Sequence, residues 1–155
     1  SDQPERIKLE ISVREPILDP PITLPFRAML QDPFRGEPAF PSSDATALSL
    51  RETYAEKLRA ALIRREPAIR DFFDIDFPTR RGLIQLGDAD LIEMVRLKLS
   101  IPGNSDIDMS AEKLGRLQEQ LQTHLRPVLR ESDFVSFDLD AVFDTVRKMA
   151  ERLHR

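Results

Sequence analysis

The sequence predicts an α+β protein that is mainly α, with a short N-terminal β part followed by a bundle of about five helices. Residues 6–14 alternate between polar and apolar side chains, which is the period of a strand with one buried face. Eight of the twelve prolines lie in the first 41 residues, and proline blocks helix interiors. After residue 45 the apolar residues recur at helical spacing.

The predicted strand over 6–14 needs partners, because a single strand is not stable alone. We expect them in the Pro-rich stretch 15–44, in another chain or in further sequence. Within that stretch, residues 22–24 and 26–30 are candidates for short extended pieces.

The helical part carries apolar stripes with clear breaks between them. Pro67 suits the first turn of the second helix, and Pro78 is expected to end that helix. The predicted helices cover about 50–64, 67–77, 88–100, 110–130 and 138–154. We therefore divide the chain into 1–44, a strand with a Pro-rich segment, and 45–155, a helical domain.

Composition excludes several classes of protein. The absence of cysteine excludes disulfide frameworks, zinc ribbons and thiol nucleophiles, and two histidines make a histidine-rich metal site improbable. The formal net charge of -4, without a basic tract, argues against electrostatic binding of nucleic acid by the whole chain. Without a bilayer-length apolar run or a signal peptide, we expect a cytoplasmic protein and no membrane partner.

Two cations on the first predicted helix form a candidate anion site. Lys57 and Arg64 are seven residues apart, so they lie on one side of the helix, at the edge of its apolar stripe. Two cations that line a cleft suit a polyanion such as a triphosphate. The alternative is an ordinary solvated basic edge of an amphipathic helix.

A third cation, Arg65, falls near the middle of the same stripe. It should have a partner or mark the helix end, and Asp71 and Asp74 are the expected partners. Together with Arg70, these carboxylates predict an ion-pair cluster that locks the second helix to the first. A direct catalytic role is the alternative.

Carboxylates elsewhere are candidates for metal ligands. Glu10 lies on the polar face of the predicted strand, where a rigid backbone can help it share a metal ion; the alternative is an outward-facing charge. Four Asp-x-Asp pairs also occur, and three of them lie at predicted helix starts, where we expect capping. The pairs are 74/76, 88/90, 106/108 and 138/140.

Residues 52–74 resemble the signature of the AbiEii/AbiGii nucleotidyltransferase-type toxin family. The similarity rests on Glu52, Ala55-Glu56-Lys57, Ala60 or Ala61, Arg64 or Arg65, and Arg70-Asp71-Phe72-Phe73-Asp74. The strand Lys8-Leu9-Glu10-Ile11 is also similar to the strand that precedes this signature. The resemblance covers about 6–77, and the later helices match only as a generic helical region.

The resemblance implies a polymerase-β-like nucleotidyltransferase that moves a nucleotidyl group from an NTP to an acceptor, such as tRNA. It implies a toxin of a toxin–antitoxin or phage-defence pair, with a cognate antitoxin protein as partner. Three carboxylates would bind Mg²⁺, and Glu10 resembles the third of them. Lys57 would be catalytic with Glu10, and would bind the nucleotide with Arg64 and Arg65. Three residues would order the site: Arg70, Asp71 and Asp74.

The family's first motif, Gly-Ser or Gly-Gly-Thr followed by Asp-x-Asp, does not occur in this sequence. It would precede the strand that carries Glu10, so we expect this chain to be the C-terminal portion of a longer enzyme. Alone it should be inactive, hold Mg²⁺ weakly and form a homodimer through the strand 6–14. A non-enzymatic helical interaction module, docking through that strand edge and the stripe 139–153, is the alternative.

Overall fold

The computed structural model describes residues 16–26 and 28–153, and this part of the chain is mainly helical with one small sheet. The mainly α, α+β prediction is confirmed. The predicted strand over 6–14, with Glu10, lies outside the described residues. In chain order the elements are β1 (Ile22–Phe26), β2 (Ser43–Ala47), α1 (Leu50–Ile63), α2 (Ile69–Arg80), α3 (Ala89–Leu99), α4 (Ala111–Gln120), α5 (Glu131–Ser136) and α6 (Leu139–Leu153).

The sheet is an antiparallel pair in which Ile22 of β1 lies opposite Ala47 of β2. The extended piece at 22–24 is therefore confirmed, but the one predicted over 26–30 is wrong at residues 28–30, where the chain is irregular and bends at Met29. A turn follows at 33–35, and Asp32 stabilises it by accepting the backbone N–H of Phe34. The pairing strand β2 was not predicted, since Ser-Asp-Ala-Thr-Ala has no large apolar residue; it spans the predicted boundary at residue 44.

Helix α2 differs from its prediction at both ends. It begins at Ile69, two residues after Pro67, and the side chain of Gln120 bridges its start. The Gln120 amide accepts the N–H of Ile69 at 2.9 Å and donates to the carbonyl of Pro67 at 2.8 Å. The helix also continues through Pro78 to Arg80, contrary to the expected end. Pro78 removes only its own backbone donor, and its carbonyl still accepts the N–H of Leu83 at 2.9 Å.

The fourth predicted helix is interrupted. Helix α4 ends at Gln120, and a π-helical turn (Leu121–Leu125) and a 3-10 turn (Arg126–Val128) follow it within the range predicted as one helix. Pro127, within the 3-10 turn, cannot donate a helical hydrogen bond. Val128, expected in the apolar stripe, is 59% exposed. The short helix α5 was not predicted.

The hydrophobic core lies where α2, α3, α4 and α6 meet, with α1 packed on α2 and α3. Phe72 of α2 stacks on Phe143 of α6 with 5.6 Å between ring centroids. The apolar stripe of α6 is buried in this core: Leu139, Val142, Phe143, Val146, Met149 and Ala150. The prediction that this stripe is a docking surface is therefore wrong, because the protein's own helices cover it.

No helix in the described part of the chain is both long enough and apolar enough to cross a membrane.

Candidate functional site

Lys57 lies in the middle of α1 and reaches across to α2. Its Nζ is 2.6 Å from Oδ2 of Asp74. The two side chains are 32% and 42% exposed, so the pair stands at the surface between the helices. An ammonium has three N–H donors, and the described contacts occupy one of them. Lys57 can therefore contact an anion without leaving Asp74.

A second ion pair lies further along the same two helices. Nη1 of Arg64 is 2.9 Å from Oδ2 of Asp71; the guanidinium is 48% exposed and the carboxylate 15%. Burial raises the pKa of Asp71, and the cations Arg64 and Lys57 offset this only in part. The contact lacks hydrogen-bond geometry, which leaves Asp71 Oδ2 buried without a hydrogen bond from the described residues. The guanidinium thus has donors to offer elsewhere.

The two pairs place Lys57 and Arg64 on one edge, as the spacing predicted, but the expected partners of Arg65 are wrong. Asp71 and Asp74 contact Arg64 and Lys57, whereas Arg65 follows the end of α1 and is exposed. Its position marks the helix end, the other outcome that the sequence allowed.

Arg70 is exposed, and it makes no ion pair with another residue that the structure describes. It therefore takes no part in the contacts that join the two helices. The functional roles assigned to all these residues stay predictions.

Beside Lys57 and Asp74 lies a cleft of about 370 Å³ between α1, α2 and the start of α5. Its apolar lining consists of Tyr54, Phe73, Phe77 and Leu129, and its polar lining of Lys57, Asp74 and Asp133. Burial raises the pKa of Tyr54, and the nearby Asp74 carboxylate raises it further. Lys57 belongs both to this cleft and to the helix edge that carries Lys57 and Arg64, so the cleft and that edge are continuous.

A buried cluster on the other side of α1 was not predicted. Lys98 of α3 is 2% exposed, and its Nζ lies 2.7 Å from both Oε1 of Glu52 and Oε1 of Glu56. The Glu52 side chain is fully buried. Burial raises the pKa of Glu52, but hydrogen bonds from Lys98 and from two backbone N–H groups outweigh burial, so the net shift is downward. Glu52 therefore stays ionised inside the protein.

This cluster fixes the start of the described chain. The carboxylate of Glu52 accepts the backbone N–H groups of Leu18 and Asp19, each at 2.9 Å, and Lys98 donates to the carbonyl of Pro16 at 3.1 Å. Arg51 also binds Asp19 at 2.9 Å and lowers the pKa of that carboxyl. Two signature residues, Glu52 and Glu56, therefore belong to the cluster that holds residues 16–19.

One sequence signal could have revealed this cluster. Lys98 lies seven residues after Leu91 and three after Val95, which places it on the apolar stripe of α3. A charge on that stripe requires a buried partner. Glu52 and Glu56 provide it from the facing helix.

A second buried lysine, Lys113 of α4, donates hydrogen bonds to backbone carbonyls at the C-terminal end of α1. Its fully buried ammonium donates to the carbonyls of Ala61, Leu62 and Asp108 at 2.6, 3.1 and 2.8 Å. The carbonyls of Ala61 and Leu62 lie in the last turn of α1, where a helix leaves carbonyls without intrahelical partners, and Asp108 lies just before α4. Burial lowers the pKa of Lys113, although the Asp108 carboxylate counters part of that effect.

Two of the three Asp-x-Asp pairs expected to cap helices do so, whereas at the third, 106/108, Ser110 caps α4 instead. Asp88 caps α3 by accepting the N–H groups of Asp90 and Leu91, and Asp138 accepts the N–H of Ala141 at the start of α6. Among the residues that the structure describes, no group of three histidine, cysteine or acidic side chains could hold a metal ion. The metal role predicted for Glu10 lies outside those residues.

The signature residues 52–74 lie on α1 and α2 and on the segment between them, and two cation–carboxylate pairs join the two helices. The cleft and the segment held by Glu52 lie beside these helices. Over residues 1–149 the chain matches the AbiEii family, described as nucleotidyl transferase AbiEii toxin of type IV toxin–antitoxin systems, and it belongs to that family. The comparisons with curated proteins and with solved structures gave no match.

Proposed function

We propose that this protein takes part in the transfer of a nucleotidyl group from an NTP to an RNA acceptor such as tRNA. In this proposal it acts as the toxin of a toxin–antitoxin pair used in phage defence, opposed by a cognate antitoxin protein. Membership of the AbiEii nucleotidyltransferase family supports the class of reaction. The described residues support the position of the nucleotide.

The observation that carries the proposal is the arrangement of Lys57 and Arg64. Seven residues separate them, so they are about 10 Å apart along the axis of α1. Each is held by a carboxylate of α2 and each is partly exposed. A triphosphate laid along this edge can meet one cation near each end, and Arg65 supplies a further exposed cation beyond the helix end.

In the proposed reaction an acceptor hydroxyl oxygen forms a bond to the α-phosphorus of the NTP. The bond between the α-phosphorus and the bridging oxygen to the β-phosphate breaks, and pyrophosphate leaves with the electron pair. The hydroxyl proton passes to a base. Negative charge grows on the leaving pyrophosphate, and Lys57 and Arg64 lie where they can stabilise it. Asp74 and Asp71 hold those cations in place.

We also propose that the reaction uses Mg²⁺ and that Glu10 is one of its carboxylate ligands. Bound Mg²⁺ would neutralise phosphate charge during the reaction. The Glu52–Lys98 cluster supports this arrangement, because it holds Pro16–Asp19 against α1 and α3, only a few residues after Glu10. The cluster would thereby set the position of the Glu10 strand relative to Lys57.

Paired labelling tests this function. The longest protein that the reading frame encodes is incubated with RNA, Mg²⁺ and NTP labelled either at the α- or at the γ-phosphate. Nucleotidyl transfer places α-label, and no γ-label, on the RNA. Transfer of γ-label would identify a phosphoryl transferase instead. No label from any of the four NTPs, on RNA from cells that the protein arrests, would favour the interaction module.

A further inference from the structure

The cleft beside Lys57 has a chemical character that the phosphate-binding proposal does not explain. Three aromatic rings, those of Tyr54, Phe73 and Phe77, line one small cavity together with Leu129. Its volume of about 370 Å³ lies within the range of ligand pockets, about 300–1,000 Å³. Anion binding needs no aromatic wall, so this wall points to a second part of the ligand.

Contacts with other rings and with a guanidinium hold the aromatic wall in place. The Phe73 ring lies 5.6 Å from Phe137 in an edge-to-face arrangement and 6.0 Å from Phe77. The Arg81 guanidinium lies 4.0 Å over the Phe77 ring. Rings fixed in this way present a surface on which a planar group can stack without much loss of side-chain entropy.

Two polar groups in the cleft have no partner among the described residues. The Tyr54 hydroxyl makes no hydrogen bond there, and the Asp133 carboxylate makes neither a hydrogen bond nor an ion pair. A hydroxyl can donate or accept, and a carboxylate accepts. They suit a ligand that has a flat apolar face and an edge of N–H or O–H donors.

The cleft and the cations lie in one line along α1. Tyr54, Lys57 and Arg64 follow one another at intervals of one and two helical turns. A ligand with its planar part against Tyr54 would carry any attached phosphates past Lys57 towards Arg64. This order matches that of base, ribose and triphosphate in an NTP.

We propose that the cleft formed by Tyr54, Phe73, Phe77 and Leu129 binds the nucleobase of the NTP, with Asp133 accepting a hydrogen bond from the base edge or the ribose. This inference rests on the proposed function, because it takes the phosphates to lie at Lys57 and Arg64. An apolar peptide side chain would fit the rings but leave Asp133 and Lys57 without a use. A nucleotide uses all three features.

Isothermal titration of the purified protein separates the base site from the phosphate site. The probes are the four NTPs and inorganic tripolyphosphate, which has the phosphates without a base. Leu129→Trp should fill the cleft, and Tyr54→Leu should remove one stacking face. Leu83→Trp is the matched control, since Leu83 is 61% exposed and lines a different cleft.

We expect Tyr54→Leu to weaken binding of the best NTP about tenfold, which is the usual effect of losing one base-stacking contact. Leu129→Trp should weaken it at least as much, because the larger side chain takes the place of the base. Both should leave tripolyphosphate binding within twofold of the wild type, and Leu83→Trp should change neither affinity. Lys57→Ala should weaken NTP and tripolyphosphate alike. Thermal unfolding of each variant shows whether it is folded, and Tyr54→Leu serves if Leu129→Trp is not.

Two results overturn the proposals separately. If the cleft variants bind NTP as tightly as the wild type while Lys57→Ala loses affinity for both probes, the base site is wrong and the phosphate site stands. If Lys57→Ala binds both probes normally, or the wild type binds neither, the phosphate site fails and the base site with it.

Discussion

Replacing Lys98 by methionine should destabilise the protein strongly, because the ammonium is the shared partner of two carboxylates. Lys98 is 2% exposed and lies 2.7 Å from both Glu52 and Glu56. Methionine keeps most of the side-chain volume but removes the charge. The fully buried Glu52 then retains only the N–H groups of Leu18 and Asp19.

The magnitude follows from what each substitution leaves behind. Removing one partner of a buried ion pair costs about 3–5 kcal/mol, because the other charge stays buried without compensation. Glu52→Gln should cost less, about 1–3 kcal/mol. Lys98 still has Glu56 in that variant, and the main loss is one acceptor that faces a backbone N–H. We therefore expect Lys98→Met to be the more destabilising change.

Urea unfolding at pH 7 measures both effects, with Lys148→Met as the control. Lys148 makes an equally short ion pair, 2.6 Å from Asp144, but is 68% exposed, so its loss should cost less than about 1 kcal/mol. A Lys98→Met free energy of unfolding within 0.5 kcal/mol of the control would refute the reasoning, the 0.5 being about the scatter among surface substitutions.

The same cluster predicts an acid dependence. The pKa of Glu52 is lower in the folded protein than in the unfolded chain, so its contribution is present above the unfolded value and is lost as the pH falls through the folded one. Unfolding of Glu52→Gln should lack that part of the acid loss. Equal acid profiles for the two proteins would contradict the assignment.

Other contacts give predictions of the same kind. Lys113→Met should cost about 1–3 kcal/mol, because the buried carbonyl of Ala61 loses its donor, whereas that of Leu62 keeps the N–H of Asp108 at 2.9 Å. Because burial lowers the pKa of Lys113, the wild type should gain stability relative to Lys113→Met as the pH rises towards 10.5, the ordinary value; a constant difference in urea titrations across that range would disprove the shift. Gln120→Ala should cost about 1–2 kcal/mol, since it removes both bonds at the start of α2; an unchanged thermal midpoint would show that water replaces them.

The helices could be predicted where a single apolar stripe packs into the core. Prediction failed where one residue, such as a proline, or backbone pairing without an apolar pattern determined the secondary structure. The prediction for α6 was close because its whole stripe is buried. The run after Gln120 looked like a continuous helix, but Pro127 makes the chain change its hydrogen-bond pattern. Strand β2 had no apolar alternation to reveal it, because all but one of its five residues are exposed.

The candidate site shows the same division. The spacing of Lys57 and Arg64 placed them correctly on one helix edge, because helical periodicity fixes which side chains share a face. Their partners could not be read from spacing, since the pairing depends on how α2 packs across α1, and Arg65 was assigned carboxylates that bind its neighbours. Lys98 is 46 residues from Glu52, so only the tertiary fold brings them together.

The most direct test of the account compares nucleotidyl transfer by Lys57→Ala with transfer by Lys148→Ala, in the longest protein that the reading frame encodes. Both substitutions remove a lysine that makes an ion pair of 2.6 Å with an aspartate, but the Lys57 pair joins α1 to α2 whereas the Lys148 pair lies within α6. We predict that Lys148→Ala keeps the wild-type rate of α-label transfer to RNA, while Lys57→Ala loses roughly a hundredfold or more, as expected when a charge-stabilising group is removed. Equal rates for the two variants, with both proteins folded, would contradict the claim that Lys57 acts on the nucleotide.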